Sequence, residues 1–162
     1  IIEIKQFSGA ERDRALHVLE GLPRGTALLH GDLHPGNVLM SPSGPVAIDW
    51  FDATIGHPVA DVVRSSLLIR PFESVVDRPH MPEVARPVLT KLHESYVSAM
   101  HDVLARPREE LCQWEAVVAA SRLAEGAETD ESPLLALWQG GGESGDASSL
   151  EELLAGVVSR RG

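Results

Sequence analysis

The stretch LLHGDLHPGNVL, residues 28–39, decides how the rest of the chain is interpreted. It places two histidines, an aspartate, an asparagine and two glycines between two apolar segments, residues 27–29 and 38–40. Short apolar runs bounded by turn residues are typical of strands, so the polar residues are expected to form a loop between two strands. Loops held by rigid strands often carry chemistry. Residues 28–40 are therefore the first candidate functional segment.

The composition is that of a soluble protein of about one domain. The 162 residues are 43% hydrophobic and 23% charged, with a formal net charge of -10. Binding to the phosphate backbone of a nucleic acid needs a basic surface, so this negative charge argues against a nucleic-acid partner. The single cysteine, Cys112, excludes an internal disulfide and fits a reducing compartment. Because no apolar stretch approaches about 20 residues, and no signal-like segment opens the chain, we predict a cytoplasmic protein without a membrane partner.

Hydrophobic periodicity predicts an α+β protein that is mostly α-helical. The segment 28–49 is expected to be a small β-hairpin, with a turn at 41–45 and a short strand at 46–48. Helices are predicted over residues 9–20, from Val59 to about residue 70, over 88–105 and over 109–125, with a loop over 71–87.

The predicted domain covers residues 1–139. A Gly/Ser-rich segment, residues 140–149, is expected to be flexible and to precede a terminal helix over 150–162.

Three oxygen-bearing side chains stand in a layout typical of a phosphoryl-transfer site. Asp32 and Asn37 are five residues apart, and Asp49 closes the following strand within residues 46–52. In such a site an aspartate orients a hydroxyl and accepts its proton, while an asparagine and a second aspartate hold Mg²⁺ on the phosphates. Mg²⁺ prefers hard oxygen ligands, which explains the residue types.

With these residues the chain resembles the aminoglycoside phosphotransferase and choline-kinase-like family, relatives of the protein kinases. The resemblance lies in LLHGDLHPGNVL, VAIDW and GHPVAD, and it is most specific over residues 28–64. It implies the carboxy-terminal lobe of a protein-kinase-like fold, in which the small hairpin carries the catalytic loop. It also implies transfer of phosphate from ATP, with Mg²⁺, to a hydroxyl group of a small molecule.

The resemblance further implies a role for each matching residue. Asp32 would be the catalytic base, and Asn37 and Asp49 would be the Mg²⁺ ligands. Asp61 would be a buried acid that supports the catalytic loop through backbone N–H groups. His30 would belong to this structural support and would not carry a proton.

The chain departs from the family pattern in two places. His57 stands where the family often has an aspartate. No amino-terminal lobe is recognisable, since Lys5 lies only 27 residues before Asp32 and Lys91 follows the site. We therefore expect the nucleotide-binding lobe to be missing and the 162-residue chain alone to be inactive. The apolar surface left by a missing lobe would favour association.

Two other interpretations remain open. One is a partial lobe without catalytic activity, serving at most as a binding or interaction module. The other is a metal-dependent phosphoesterase, in which His30, Asp32 and His34 would ligate a transition metal. The phosphoesterase interpretation lacks the later histidine-containing stretch that such enzymes need.

The sequence does not identify the substrate. Four acidic residues in the helices after Asp61 would suit a cationic substrate or would form a solvated face: Glu94, Asp102, Glu115 and Glu125. His34 and His57 are expected to be loop histidines without a fixed role, and Trp114 and Trp138 are expected to pack in the core.

Overall fold

The computed structural model describes residues 8–70, 85–126 and 132–140. These residues form a mostly helical α+β structure, in agreement with the prediction. The helices are α1 (Gly9–Gly21), α2 (Pro58–Ile69), α3 (Ala85–Ala99), α4 (His101–Leu104), α5 (Arg108–Glu125) and α6 (Ser132–Gly140). The strands are β1 (Ala27–Leu29), β2 (Val38–Ser41), β3 (Gly44–Ala47) and β4 (Thr54–Gly56), and a 3₁₀ turn covers Pro35–Asn37.

The strands form two antiparallel pairs, so the predicted hairpin over 28–49 is wrong in its extent. β2 pairs with β3, with Val38 opposite Ala47, whereas β1 pairs with β4, with Ala27 opposite Gly56. β4 was not predicted, because a three-residue strand carries too little periodicity to be recognised. The predicted turn at 41–45 is also shorter, since Gly44 and the residue after it belong to β3.

This topology brings two connections together. The first, residues 30–37, leads from β1 to β2 and is called the HGD loop. The second, residues 48–53, leads from β3 to β4 and is called the IDW loop. Because β1 is paired with β4 and β2 with β3, both loops run between the same two strand pairs and lie side by side.

α2 follows β4 and has the apolar face that the sequence predicted. Pro58 occupies its first turn, where the missing N–H of proline costs nothing, and His57 precedes it as the N-cap. Val59, Val63 and Ser66 are fully or almost fully buried, as are the other members of that face. α2 is thus fixed in the core while its first turn faces the HGD loop.

The core lies between α2, α5 and α6, with contributions from α3 and α4. Full burial of a Leu or Val side chain contributes about 1.5–3 kcal/mol to stability. Trp114 and Trp138 are buried, as predicted, and the Arg14 guanidinium lies 4.4 Å from the centre of the Trp138 ring. The larger buried apolar side chains are Val59, Val62, Val63, Leu67, Val97, Leu104, Leu111, Trp114, Val117, Val118, Leu123, Leu134, Leu137 and Trp138.

α1 begins at a capping box, in which Ser8 and Glu11 each bind the other's backbone N–H. The predicted apolar face of this helix is only partly used. Leu16 and Leu19 stay 47% and 43% exposed, and Val18 is partly buried against the core. α1 therefore lies on the outside of the described part of the chain.

The later helices differ from the prediction in three places. α3 begins at Ala85, so residues 85–87 are helical and not part of a loop, and Met100 separates α3 from α4. α5 matches its prediction to within one residue. α6 was missed, because its short apolar run carries no clear helical period.

The predicted flexible segment beyond Gly140 and the predicted terminal helix over 150–162 lie outside the described residues, as do residues 71–84. None of the helices within the described ranges has the length and apolar character needed to cross a membrane.

Candidate active site

The HGD and IDW loops are joined by hydrogen bonds and by ring contact. The Ile48 N–H donates to the Asn37 carbonyl at 2.9 Å, which continues the β2–β3 pairing by one step. The Trp50 indole lies 4.5 Å from the His30 imidazole, measured between ring centres. A side chain added at Gly31 would come within 2.5 Å of the Asp52 carbonyl oxygen. The two loops therefore form one surface, and Gly31 allows their close approach.

His30 is buried, with 3% of its surface exposed, and both ring nitrogens have partners. Nε2 donates to the Ile48 carbonyl at 2.9 Å, and Nδ1 accepts the Asp32 N–H at 3.3 Å. With Nδ1 as acceptor, Nε2 is the ring nitrogen that donates. The His30 side chain thus connects the two loops.

The phosphoesterase interpretation requires His30 as a metal ligand, and the geometry does not fit it. Both nitrogens that would bind the metal are already engaged with backbone groups. Across residues 8–70, 85–126 and 132–140, no three His, Cys, Asp or Glu side chains are grouped closely enough to hold a metal ion. The predicted transition-metal set of His30, Asp32 and His34 is therefore not assembled.

Asp32 and Asn37 are brought into direct contact by the 3₁₀ turn. The Asn37 side-chain amide donates to the Asp32 carbonyl oxygen at 2.8 Å and to Asp32 Oδ2 at 3.1 Å. Asn37 is 8% exposed. Its own Oδ1 accepts no hydrogen bond from the described residues, so one hard oxygen remains available for a ligand.

His34 has a fixed place in this turn. Its Nδ1 accepts the Gly36 N–H at 3.1 Å, which caps the 3₁₀ turn, and its Nε2 lies 3.5 Å from Asp32 Oδ2. Asp32 Oδ2 therefore faces two donors, Asn37 Nδ2 and His34 Nε2. Asp32 Oδ1 has no hydrogen bond to the described residues, which makes the two carboxylate oxygens unequal.

Asp49 is the first exposed residue of the IDW loop. Its backbone has a conformation that residues other than glycine rarely adopt. Its φ is 61°, in the left-handed region, and it is the sole non-glycine residue of the described ranges with a positive φ. Aspartate tolerates this region better than most residues, but at some cost in energy. Such strain is concentrated at functional sites. Asp49 directly follows Ile48, the backbone partner of Asn37.

Asp61 lies in the first turn of α2 and accepts two backbone hydrogen bonds from the HGD loop. The His30 N–H donates to Oδ2 at 2.9 Å, and the Gly31 N–H donates to Oδ1 at 2.8 Å. The amino-terminal position in the helix favours a carboxylate, because the helix dipole is positive there. One helix turn later, Arg64 Nε donates to the Gly31 carbonyl. Gly31, with φ 81°, is thus bound to α2 through both its N–H and its C=O.

A second set of polar residues lies at the carboxy-terminal end of α2, where Ser66 and the C-cap residue Arg70 meet His93 of α3 and Glu115 of α5. These four residues are called the buried polar cluster. Arg70 and Glu115 are paired at 3.2 Å, and Ser66 Oγ lies 2.7 Å from His93 Nε2. Burial, and secondarily the positive charge of Arg70, lowers the pKa of His93 to about 4. The imidazole of His93 is therefore neutral near pH 7.

Tyr96 lies on the same helix as His93, and the pKa of its hydroxyl is affected by its burial and by Ser65 and Asp61 of α2. Burial raises the pKa of its hydroxyl above the ordinary value, a hydrogen bond from Ser65 acts against this, and the charge of Asp61 raises the pKa further. The tyrosine hydroxyl is consequently protonated at neutral pH.

Two of the four acids that the sequence left as either cation-facing or solvated have arginine partners. Glu115 is buried against Arg70, and Glu125 binds Arg64 at 2.6 Å. Glu94 and Asp102 stay partly or fully exposed. Glu115, at 3% exposure, is therefore neither solvated nor open to a substrate, whereas Glu125 stays exposed beside Arg64.

His57 was expected to be a loop histidine without a fixed role, but it is the N-cap residue of α2. Its Nδ1 accepts the Val59 N–H at 3.4 Å at the start of α2, and its ring is stacked on Trp114 at 5.5 Å.

Sequence reasoning missed two residues that contact the loops, Trp50 and Arg64. Arg64 lies three residues after Asp61, a spacing that places both on one helix face. That spacing was the available signal.

The described residues therefore form a mostly helical α+β structure that carries an oxygen-rich, glycine-containing loop. The model of the phosphotransferase enzyme family, APH, matches residues 6–96, which is more than half of the chain, and includes both loops and α2. The chain therefore belongs to this phosphotransferase family, and the resemblance noted over residues 28–64 is confirmed. No curated protein and no solved structure gives a significant match to the chain.

Proposed function

We propose that this chain carries the acceptor and metal side of an ATP- and Mg²⁺-dependent phosphotransferase that phosphorylates a hydroxyl group of a small molecule. The described residues would correspond to the carboxy-terminal lobe of a protein-kinase-like fold. The main support is the contact between Asp32 and Asn37, in which one amide binds both the backbone and the carboxylate of Asp32.

Asp32 is proposed as the base. Its Oδ2 faces Asn37 and His34, so Oδ1 is the oxygen available to accept the proton of a substrate hydroxyl. The carboxylate orients the hydroxyl and takes its proton as the oxygen attacks the terminal phosphorus of ATP. Phosphoryl transfer depends mainly on position and charge stabilisation, so a rigidly held carboxylate suits it.

Asn37 and Asp49 fit Mg²⁺ in their chemistry. Asn37 Oδ1 and the Asp49 carboxylate are hard oxygen donors without hydrogen bonds to the described residues, and Mg²⁺ commonly combines one or two such side chains with phosphate oxygens and water. When bound, the ion would neutralise charge on the phosphates. The Asp32–Asn37 hydrogen bonds hold the Asn37 amide so that its oxygen points away from Asp32.

Asp61 and His30 are proposed to support the loop. The Asp61 carboxylate satisfies two backbone N–H groups, and the His30 ring joins the HGD loop to the IDW loop. Neither group needs to exchange a proton in this role. We assign no residue to the nucleotide, because the described residues offer no phosphate-covering loop.

The substrate class is proposed to be a hydroxyl-bearing cation. The net charge of -10 favours a cation electrostatically. On the helices after α2, Asp102 is exposed and Glu94 is partly exposed beside Lys91. We propose a cytoplasmic location without nucleic-acid or membrane partners, since ATP is the phosphate donor. The exposed cross-strand pairs Leu28–Ile55 and Leu39–Val46 offer an apolar surface for association.

The deciding experiment is transfer of labelled phosphate from ATP, with Mg²⁺, to a panel of aminoglycosides, choline and amino alcohols by the complete gene product. Asp32→Asn keeps the shape of the side chain and removes the base, so the rate should fall by about 10²–10⁴-fold. Asp13→Asn, the same change on exposed α1, is the control.

A parent-like rate in Asp32→Asn would exclude Asp32 as the base. Transfer to no acceptor, together with no ATP binding by calorimetry, would favour a lobe that only binds or interacts.

The metal ligands are tested without activity. Mn²⁺, as a paramagnetic substitute for Mg²⁺, should broaden the amide signals of Asn37 and Asp49 in a titration followed by nuclear magnetic resonance. Asn37→Ala and Asp49→Ala should each weaken this binding. Equal binding by the parent and both variants would place the metal elsewhere.

A further inference from the structure

We propose that Arg64 and Glu125 form a positioning pair that sets the orientation of Asp32 through the Gly31 carbonyl. The inference rests on the proposed function and extends it to α5. Glu125 is the last residue of α5 and lies beyond the family match, which ends at residue 96. Neither residue contacts the substrate in this role, so both act through the HGD loop.

The peptide unit between Gly31 and Asp32 is held at both of its polar atoms. Its carbonyl oxygen, on Gly31, accepts the hydrogen bond from Arg64 Nε, and its N–H, on Asp32, donates to His30 Nδ1 at 3.3 Å. Because a peptide unit is planar, these two contacts fix its plane. The plane places the Asp32 N–Cα bond, and together with φ of Asp32 it sets the direction in which the side chain leaves the backbone.

The Arg64 guanidinium makes two kinds of contact at once. Nε faces the loop, while Nη1 and Nη2 donate to the two carboxylate oxygens of Glu125 at 2.6 and 3.2 Å. A guanidinium is planar and rigid, so a partner that fixes the two Nη atoms also fixes the direction of Nε. Glu125 thereby determines where Arg64 directs its hydrogen bond to Gly31.

Glu125 is itself held by its surroundings. Arg122 donates to Glu125 Oε2 at 3.2 Å, and α5 ends directly after Glu125 at Gly126, which has a left-handed conformation with φ 62°. A carboxylate at the carboxy-terminal end of a helix is unfavourable toward the helix dipole. Its presence at this position is explained by the two arginines that it binds.

The test separates positioning from stability and from substrate binding. Glu125→Ala should lower kcat about tenfold, since small displacements of a catalytic group have large effects on rate. KM for ATP and for the acceptor should stay unchanged. Glu109→Ala, an exposed acid in the first turn of the same helix, is the matched control and should leave kcat unchanged.

Arg64 variants show whether Glu125 acts through Arg64. Arg64→Met should lower kcat more than Glu125→Ala, because it also removes the hydrogen bond to Gly31. The double variant should be no slower than Arg64→Met alone, and Arg64→Lys should not restore the rate, since an ammonium group lacks the fork geometry. Glu125→Gln, which keeps one acceptor oxygen, replaces Glu125→Ala if the latter does not fold.

A second readout does not depend on turnover. In Glu125→Ala the Asp32 amide and Gly31 carbonyl signals should shift in nuclear magnetic resonance spectra while Tm stays close to that of Glu109→Ala. Parent-like kcat and unshifted signals, or additive effects of the two single variants, would overturn the positioning pair and leave the proposed function intact. A higher KM for cationic acceptors alone would identify Glu125 as a substrate contact and would also overturn it.

Failure of the proposed function has a different signature. In that case the parent and Asp32→Asn proteins would show the same lack of transfer, and the positioning role would fall with it.

Discussion

In its first half α2 presents Asp61 and Arg64 to the HGD loop. Further along, Ser66 contacts α3, and Arg70, the residue after the helix, contacts α5. Both regions are polar, but they differ in what they leave available. Around the HGD loop, Asp32 Oδ1 and Asn37 Oδ1 accept no hydrogen bond from the described residues.

In the buried polar cluster, by contrast, the polar groups bind one another, with Arg70 paired to Glu115 and Ser66 to His93. These four side chains are at most 9% exposed. Polar groups that bind each other inside a core determine which packing is adopted, whereas polar groups with free acceptors at a surface can bind a ligand. The comparison predicts that changes in the cluster affect stability and changes in the loop affect chemistry.

The largest effect on stability is expected for Glu115→Ala. It removes the buried carboxylate that Arg70 Nη2 binds at 3.2 Å, and breaking a buried ion pair costs about 3–5 kcal/mol. Chemical denaturation of the variant against Glu109→Ala, an exposed acid of the same helix, measures it. A loss below that of a typical surface substitution would mean that the pair contributes little.

Acid should destabilise the protein through His93. Its pKa is about 4 in the folded state, against 6.5 for the ordinary group. Between these values the unfolded chain takes up a proton that the folded protein does not, so this stability is present in full above pH 6.5 and is lost as the pH falls toward 4. The shift in the pKa of His93 corresponds to a loss of about 3 kcal/mol in the free energy of unfolding.

The control for this prediction is His93→Gln. Between pH 6.5 and 4 its free energy of unfolding should fall less than that of the parent protein. Identical slopes in the parent and the variant would contradict the assignment to His93.

Asp61→Ala is expected to affect both stability and chemistry. Two backbone N–H groups of the HGD loop lose their acceptor, which costs about 2 kcal/mol in all, and the loop that carries Asp32 is released. Tm and the rate of transfer should both fall, with Asp61→Asn intermediate, since it keeps one acceptor oxygen. An unchanged Tm in Asp61→Ala would argue against the supporting role.

The smallest effect concerns His34, whose two nitrogens have separate contacts. His34→Asn keeps an acceptor near the Nδ1 position for the Gly36 N–H, whereas His34→Gln keeps a donor near the Nε2 position for Asp32. If the Nε2 contact orients Asp32, His34→Asn should lower kcat about fivefold and keep Tm. A fivefold loss corresponds to an activation free energy higher by about 1 kcal/mol. His34→Gln should lower Tm and keep kcat, whereas a parent-like kcat in His34→Asn would reduce His34 to a cap.

Local patterns in the sequence predicted what local physics determines. The apolar faces of α2 and α5 follow from helical period. The five-residue spacing of Asp32 and Asn37 was enough to assign both to one site, although their catalytic and metal-binding roles stay predictions. The pairing of β1 with β4 depends on closure between distant strands, which three-residue segments do not encode. The Arg64–Glu125 ion pair likewise joins residues 61 positions apart, and no local pattern announces such a contact.

The left-handed backbone at Asp49 has a consequence for evolution in the laboratory. Glycine adopts φ 61° without the steric cost that a side chain incurs, so selection for thermostability alone would favour Asp49→Gly. The variants selected in this way would be more thermostable but would lack a proposed metal ligand. A library screened for heat resistance should therefore carry a parallel screen for Mn²⁺ binding, or it will discard the carboxylate at position 49.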